Sequence, residues 1–148
     1  MDVSFAIFTG DDPRVEAAYK IRYEVFVVGQ QVPLEIERDE YDLGATHLLA
    51  TGADGAVLGT LRMVSKDDGA VGKIGRVAVL EASRGRGLGS AMMRHIMAYA
   101  RQEGFGSLYL HAQVDAADLY RRLGFVDEGE LFYEANIPHI AQRLILEA

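Results

Sequence analysis

The stretch from Val77 to Ser90 reads VAVLEASRGRGLGS and joins an aliphatic run to a glycine-rich turn that leads into a helix. Three glycines alternate along the turn: Gly85, Gly87 and Gly89. Without a Cβ, such positions turn tightly and bring backbone N–H groups close to an anion. The unpaired N–H groups and positive dipole end of the next helix also favour phosphate, and Arg84 and Arg86 add two guanidinium groups. The stretch therefore predicts a diphosphate-binding loop between a strand and a helix.

Two other phosphate-binding loops fit this stretch less well. A P-loop needs a Lys-Ser or Lys-Thr pair after its final glycine, whereas Gly89 is followed by Ser90 and Ala91. A dinucleotide-binding loop follows the first strand of a parallel sheet and is followed, about 20 residues later, by an acid for the ribose. The present loop begins with arginine and follows three strands predicted to form an antiparallel meander.

The hydrophobic pattern outside the loop predicts one mixed sheet with helices packed on it. The predicted strands are Val3–Phe8, His47–Thr51, Ala56–Val64, Ala70–Leu80, Ser107–Ala112, Phe125 with Leu131–Tyr133, and Ile137–Leu146. The predicted helices are Val15–Phe26 ended by Gly29, Leu88–Tyr99 closed by Gly104, and Asp115–Leu123, with an irregular Gln30–Ala45 loop that has room for one helical turn. The order β-α-β-β-β-α-β-α-β-β predicts an α/β (α+β) fold with a mostly antiparallel sheet, in one domain over residues 1–148.

Composition narrows the function classes. The 148 residues carry a net charge of −7, which argues against a nucleic-acid or anionic-membrane surface. Residues 73–101 nevertheless hold six Lys and Arg against the single acid Glu81, so this segment carries +5 and the rest of the chain −12. The absence of cysteine excludes a cysteine acyl-enzyme. The four histidines show no chelating spacing, so we expect no metal site. No Gly-x-Ser-x-Gly motif occurs, which argues against a serine hydrolase. No signal peptide or membrane span is visible, so we expect a cytoplasmic location.

Two motifs resemble the GNAT superfamily of N-acetyltransferases. The run Arg84-Gly85-Arg86-Gly87-Leu88-Gly89 is similar to the family's acyl-CoA signature, in which Arg or Gln is followed by two residues, Gly, one residue, and Gly or Ala. The run from Leu119 to Phe125 resembles the family's later helix, in which a tyrosine precedes a Gly-Phe pair by four residues. Residues 21–30, with Asp39, Asp42, His47 and the strand at residues 59–62, resemble the ElaA/YjcF-like branch.

The resemblance implies a fold, a cosubstrate and a set of binding residues. Acetyl-CoA would be held by Val77, Ala78, Val79, Arg84, Gly85, Arg86, Gly87, Leu88, Gly89, Ser90 and Tyr120. The amides of the pantetheine arm can add to a strand edge as a peptide does, and a backbone N–H there can stabilise the oxyanion. Tyr120 would act as general acid toward the leaving thiolate, although a tyrosine on a short helix also commonly packs against a sheet.

The general base is less sharply indicated. Some members of the family carry a carboxylate six residues before the position of Val79, and Lys73 stands there in this chain. The remaining candidates are Glu35, Glu37, His47, Glu81, His111 and His139. We favour His111, because it lies near the end of a strand where the sheet is expected to splay. His95 falls on the apolar stripe of its helix, so we expect it to be packed in the core.

These features favour an enzyme that moves an acetyl group from acetyl-CoA directly to the primary amine of a small molecule or peptide. A CoA-binding sensor without turnover is one alternative. Acyl-homoserine-lactone synthesis is another, because five residues resemble that related family: Arg22, Phe26, Asp39, Asp42 and Arg62. The acidic residues 35–42, with Glu128, Glu130 and Glu134, would either attract a cationic amine or form a solvated face. A homodimer is a further possibility that the family suggests.

Overall fold

A computed structural model describes residues 2–146 of the chain. Seven strands form one sheet: β1 (Val3–Thr9), β2 (Thr46–Gly52), β3 (Val57–Lys66), β4 (Val71–Val79), β5 (Ser107–Gln113), β6 (Val126–Glu134) and β7 (Ile137–Ile145). Their order in the sheet is β1-β2-β3-β4-β5-β7-β6. Each neighbouring pair is antiparallel except β4 and β5, which are parallel. The predicted fold class and element order are confirmed.

Four α-helices flank the sheet: α1 (Val15–Arg22), α2 (Leu34–Glu37), α3 (Leu88–Gln102) and α4 (Ala117–Arg122). The sequence predicted one continuous helix from Val15 to Phe26, but the chain changes to a π-helical turn over Tyr23–Val28 before it ends at Gly29. The wider turn accompanies the burial of Val25 and Phe26 against β4, where they pack with Ala78. Apolar spacing alone does not distinguish these two kinds of turn.

The main core lies between α3 and the sheet. Met92, Met93 and Ile96 are fully buried and pack against inward-facing residues of the central strands, including Leu61 and Leu108. His95 departs from the prediction of a packed histidine: it is exposed, and its ring stacks on that of Phe5 with centroids 4.7 Å apart. The apolar stripe of α3 is completed by Met93, Met97 and Ala100 rather than by the histidine.

The sheet splits at its centre. The parallel pairing of β4 with β5 runs from Val71 opposite Ser107 to Ile74 opposite Leu110 and then stops. Beyond that point β4 remains paired only with β3, while β5 remains paired with β7 as far as Gln113. Two strands that separate leave an unpaired backbone edge on each side of the gap. The carboxyl-terminal part of β4 therefore has a free edge facing β5.

A bulge in β4 lies beside this split. Between the pairs formed by Arg62 with Gly75 and Thr60 with Ala78, the single residue Leu61 of β3 faces two residues of β4. One of the two, Arg76, has a φ of 52°, in the left-handed region that non-glycine residues seldom adopt. A bulge redirects the strand that follows it, so the free edge of β4 turns at the point where the two strands part.

Candidate active site

A cavity of about 800 Å³ opens between the separated ends of β4 and β5. Five of the predicted site residues line it: Val77, Val79, Arg84, His111 and Tyr120. The other predicted cofactor residues do not. Ala78 is buried with its side chain against the π-helical turn, and residues 85–90 continue from Arg84 at the rim into α3. The structure thus brings the predicted acid, the predicted base and the strand edge to one cavity.

The free edge of β4 is marked by its backbone hydrogen bonds. Leu80 N donates to Leu58 O at 3.0 Å, so the backbone of Leu80 faces β3. Because successive residues of a strand point their backbone groups to opposite sides, Val79 faces the gap. Its carbonyl oxygen accepts a hydrogen bond of 2.9 Å from Nε of Arg84. One guanidinium nitrogen of Arg84 is therefore engaged by the strand, which leaves its terminal nitrogens for a ligand.

The glycine-rich loop has the backbone that the sequence predicted. Gly85 and Gly87 have φ values of 78° and 77°, and a Cβ at either position would meet no atom within 4 Å in the described chain. The loop is thus open above both residues, and the positive φ favours glycine there. Gly87 is the N-cap of α3, and no side chain caps that end of the helix. Uncapped N–H groups beside open space suit the diphosphate of CoA.

Tyr120 lies in the wall of the cavity and is also part of the core. It is 7% exposed and meets Phe125 edge-on, with ring centroids 6.2 Å apart. Phe125 N donates to Tyr120 O at 3.0 Å, so the Gly-Phe pair closes the helix onto the tyrosine. Burial raises the pKa of Tyr120 to about 12, which keeps its hydroxyl protonated near neutral pH. Both readings of this tyrosine, core packing and a position at the cavity, therefore hold.

His111 forms a dyad with Glu134. Nδ1 of the imidazole lies 2.6 Å from Glu134 Oε1, and Nε2 lies 3.3 Å from the hydroxyl of Tyr109. An ionised carboxylate only accepts hydrogen bonds, so Nδ1 carries a proton toward Glu134, and in the neutral imidazole Nε2 then carries the lone pair. Both members of the dyad line the cavity. No local sequence pattern connects the two residues, because the register of the β6–β7 hairpin, with Glu134 opposite Ile137, brings them together.

The other candidate bases occupy weaker positions. His139 lines the cavity, but its Nδ1 lies 2.7 Å from the carbonyl of Ile137. Glu81 is exposed at the rim, and Glu35 is exposed outside the cavity. His47 is only 1% exposed and does not line the cavity; burial lowers its pKa, and Nε2 lies 2.8 Å from the carbonyl of Asp42.

Glu37, the remaining candidate, belongs to a network of buried ion pairs. The network contains Arg22, Glu37, Asp39, Asp42, Arg62 and Arg76. Nε of Arg22 lies 2.8 Å from Glu37 Oε2 and its Nη1 lies 2.7 Å from Asp42 Oδ1, with Arg22 only 1% exposed. Burial opposes ionisation of Asp42, but hydrogen bonds from Arg22 outweigh it and lower the pKa of that carboxyl.

The solvated-face interpretation of residues 35–42 is therefore wrong for two of its acids. Glu37 and Asp42 are 2% and 4% exposed, because the loop folds back over β3 and β4 and its carboxylates form ion pairs with buried arginines. Glu35 and Glu40 do remain exposed. A buried carboxylate needs a paired cation to offset its desolvation. The sequence places the partner arginines far from the acids along the chain, so the pairing is visible only once the sheet has formed.

Arg76 connects the network to the β4 bulge. Its guanidinium donates to the carbonyl of Glu37 at 2.9–3.0 Å and lies 3.2 Å from the Glu37 carboxylate. These contacts hold a residue whose backbone is in an unfavourable conformation, a cost of order 1–3 kcal/mol that the surrounding structure must offset. The acidic loop thereby fixes the strand segment immediately before Val77 and Val79.

Two negative observations apply to residues 2–146. Within that range no group of three or more His, Cys, Asp or Glu side chains is arranged to hold a metal ion. No helix among the same residues is long and apolar enough to cross a bilayer.

Comparison with known proteins identifies the family. Residues 15–125 match the acetyltransferase (GNAT) family. The chain is 32% identical over 137 residues to an uncharacterised N-acetyltransferase, YjcF, from Bacillus subtilis, with 91% of this chain and 95% of that protein covered.

Two solved structures have the same architecture. An acyl-CoA N-acyltransferase from Pseudomonas aeruginosa is 34% identical with a TM-score of 0.84, covering 96% of this chain and 99% of that one. Escherichia coli ElaA is 27% identical with a TM-score of 0.85, covering 95% and 98%. The sequence motifs, the split sheet and these relatives agree: the chain belongs to the GNAT acetyltransferase family, in the branch that resembles ElaA and YjcF.

Proposed function

We propose that this protein transfers an acetyl group from acetyl-CoA to a primary amine, by direct attack of the amine on the thioester. The observation that carries the proposal is the cavity at the split between β4 and β5, which joins a free strand edge to a buried tyrosine and has Arg84, the first residue of the open glycine loop, at its rim. Family membership and the 34% identical acyl-CoA N-acyltransferase support an acyl-CoA donor.

The chain's own groups suit the three parts of the cofactor. The N–H groups of residues 85–90, with the terminal nitrogens of Arg84 and the guanidinium of Arg86, bind the diphosphate. The free edge at Val77 and Val79 binds the amides of the pantetheine arm as an added strand. A backbone N–H on that edge then donates to the thioester oxygen, which becomes negative as the amine attacks.

The proposed chemistry needs one proton acceptor and one proton donor. His111 Nε2, directly or through water, removes a proton from the ammonium so that the nitrogen lone pair can attack the thioester carbon. Collapse of the tetrahedral intermediate breaks the carbon–sulfur bond, the nitrogen loses its second proton to water, and the products are the amide and the CoA thiolate. The protonated hydroxyl of Tyr120 donates a hydrogen bond to the thiolate, which receives its proton from that group or from water. The chain has no cysteine to carry an acetyl group, in agreement with direct transfer.

The test is release of free CoA thiol from acetyl-CoA in the presence of a panel of primary amines. We expect amine-dependent thiol release together with formation of the N-acetyl product. Tight CoA binding without release for any amine would favour the sensor alternative instead. Acyl-homoserine-lactone synthesis has weaker support, because four of the residues that suggested it, Arg22, Asp39, Asp42 and Arg62, hold the acidic loop in place through the ion network.

The role of His111 has a matched control. His111→Asn should lower kcat at least tenfold with CoA affinity unchanged, because CoA is held at the other strand and loop. His95→Asn changes an exposed histidine that lies outside the cavity and should leave kcat as it is. Equal kcat in wild type and His111→Asn would remove the dyad from the mechanism.

The cytoplasmic location and the homodimer remain predictions from the sequence.

A further inference from the structure

The charged groups of the cavity indicate the kind of amine it accepts, provided that the proposed function holds. Ten acidic and basic side chains line the cavity, five of each sign: Glu24, Glu37, Asp39, Glu81, Glu134, Arg62, Lys66, Lys73, Arg76 and Arg84. Because the formal charges balance, net charge selects neither a cationic nor an anionic acceptor. Selection therefore depends on which of these groups are engaged by the protein itself.

Seven of the ten are engaged by other groups of residues 2–146, including Glu134, which meets His111; of the other three, Glu24 and Glu81 are exposed and Lys73 is half-buried. Glu37 and Asp39 are paired with arginines of the buried network, Arg62 and Arg76 among them. Nε of Arg84 donates to the Val79 carbonyl and its terminal nitrogens are assigned to the diphosphate, while the ammonium of Lys66 lies 4.5 Å from the centre of the Tyr41 ring. The acids that the sequence suggested for attracting a cationic amine, Glu37 and Asp39, are consequently occupied. These two residues are therefore not available to attract a cationic amine.

Lys73 is different. No carboxylate of residues 2–146 lies within ion-pair distance of its ammonium group, and no hydrogen-bond partner is present in that range. Burial lowers the pKa of Lys73, and the cations Lys66, Arg62 and Arg76 lower it further, while Glu134 opposes them. A half-buried ammonium among other cations is stabilised by an added anion. Lys73 therefore provides a position for a negatively charged group of a ligand.

Lys73 lies close to His111 of the dyad in the sheet. Lys73 pairs with Tyr109 on the neighbouring strand, and His111 follows Tyr109 by two residues, so all three side chains lie on one face of the sheet. With strands about 4.8 Å apart and about 3.3 Å per residue, the Cα atoms of Lys73 and His111 are about 8 Å apart. Lys73 precedes the split and His111 follows it, so the dyad is nearer the thioester.

We propose that the acceptor is a small zwitterion, a primary amine that also carries a carboxylate, with the carboxylate on Lys73 and the amine facing His111 and Glu134. One free ammonium matches one carboxylate charge. The separation of about 8 Å between the Cα atoms of Lys73 and His111 suits a small acceptor, in which few bonds separate the amine from the carboxylate. The cavity must also admit the acetyl end of the cofactor, which favours a small acceptor over a protein chain.

The test compares matched amines in the thiol-release assay. The probes are the common L-amino acids and β-alanine, the amides of the same compounds, 2-aminoethylphosphonate, and 1,4-diaminobutane as a polycation. We expect the best amino acid to exceed its own amide at least tenfold in kcat/KM, because the amide lacks only the negative charge. A preference for the amide or the diamine overturns the proposal, and a preference for the phosphonate over β-alanine overturns the choice of a carboxylate.

Variants then assign the effect to Lys73. In Lys73→Met the preference for acid over amide should fall at least tenfold through KM of the acid, whereas Lys73→Arg should retain most of it. Lys20→Met, on the exposed part of α1 outside the cavity, is the control and should behave as wild type. An unchanged preference in Lys73→Met overturns the assignment. No thiol release with any amine would instead contradict the proposed function itself, so the two failures are distinguishable.

Discussion

The molecule has two loops rich in charge, and they use it in opposite ways. The basic loop at residues 84–90 keeps its glycine backbone open and the first N–H groups of α3 uncapped. The acidic loop at residues 35–42 turns Glu37 and Asp42 inward, where buried arginines pair with them. In sequence both are short runs in which one sign of charge dominates, with Arg38 the single cation of the acidic loop. What distinguishes them is whether the folded chain supplies the opposite charge: where it does, the run is structural, and where it does not, the run is available to a ligand.

The largest expected effect is on the structural loop. Arg22→Ala removes the buried cation that Glu37 and Asp42 share and leaves them with only Arg76 and Arg62, and we expect the free energy of unfolding to fall by about 3–5 kcal/mol in denaturant titrations. Arg22→Lys retains the charge but not the fork of donors and should lose less. Arg14→Ala removes an exposed pair with Asp12 and should change stability little. Equal losses in Arg22→Ala and Arg14→Ala would contradict the structural role of the acidic loop.

The ligand-binding loop should respond in binding rather than in stability. Gly87→Glu places bulk and negative charge where the diphosphate is proposed to lie, and CoA affinity measured by calorimetry should fall at least a hundredfold, about 2.8 kcal/mol. Gly104→Glu is the matched control, since Gly104 has a similar φ of 85° and open surroundings but lies at the far end of α3. Unchanged CoA affinity in a folded Gly87→Glu protein would show that the loop does not bind the diphosphate.

A smaller effect is expected at the cavity wall between the two loops. Tyr120→Phe removes only the hydroxyl and retains the ring that packs on Phe125. We expect kcat to fall by one to two orders of magnitude with CoA affinity within twofold of wild type. A fall in CoA affinity with kcat unchanged would assign Tyr120 to binding alone.

The smallest effect concerns pH. His47 lies against the acidic loop, and burial lowers its pKa in the folded state. As pH falls through the ordinary histidine pKa of about 6.5, the unfolded chain takes up a proton that the folded chain excludes, so stability must fall with pH. We expect a slope of up to about 1.4 kcal/mol per pH unit between pH 6.5 and 5, and a flatter profile in His47→Gln. An identical profile in the variant would assign the slope to other groups.

The structure of the glycine loop could be predicted from the sequence, whereas the ion pairs of the acidic loop could not. The glycine loop is a local feature: Gly85, Gly87 and Arg84 lie within four residues, and their backbone requirements can be derived from the sequence. The strands β2 to β5 likewise follow from aliphatic runs bounded by turns. β6 was predicted too short, because the exposed residues 127–130 and a bulge with Gly129 at φ 78° interrupt its pattern.

The ion pairs of the acidic loop and the His111–Glu134 dyad depend on contacts between residues far apart in the sequence. Arg22 meets Asp42 across 20 residues, and His111 meets Glu134 across 23, so neither pairing has a local signal. The bulge at Arg76 and the free ammonium of Lys73 follow from strand register. His111 could be predicted from its place near the end of a strand, but no pattern in the sequence indicates Glu134 as its partner.

Direct transfer within the cavity is the central claim, and one measurement tests it most directly. Purified protein is mixed with one equivalent of radiolabelled acetyl-CoA, with and without a saturating amine, and the label is followed over a single turnover. We predict that label moves to the N-acetyl product at the rate of thiol release, and that no label becomes covalently attached to the protein when amine is absent. A labelled protein that forms without amine and then passes its acetyl group to the amine at the turnover rate would contradict the account.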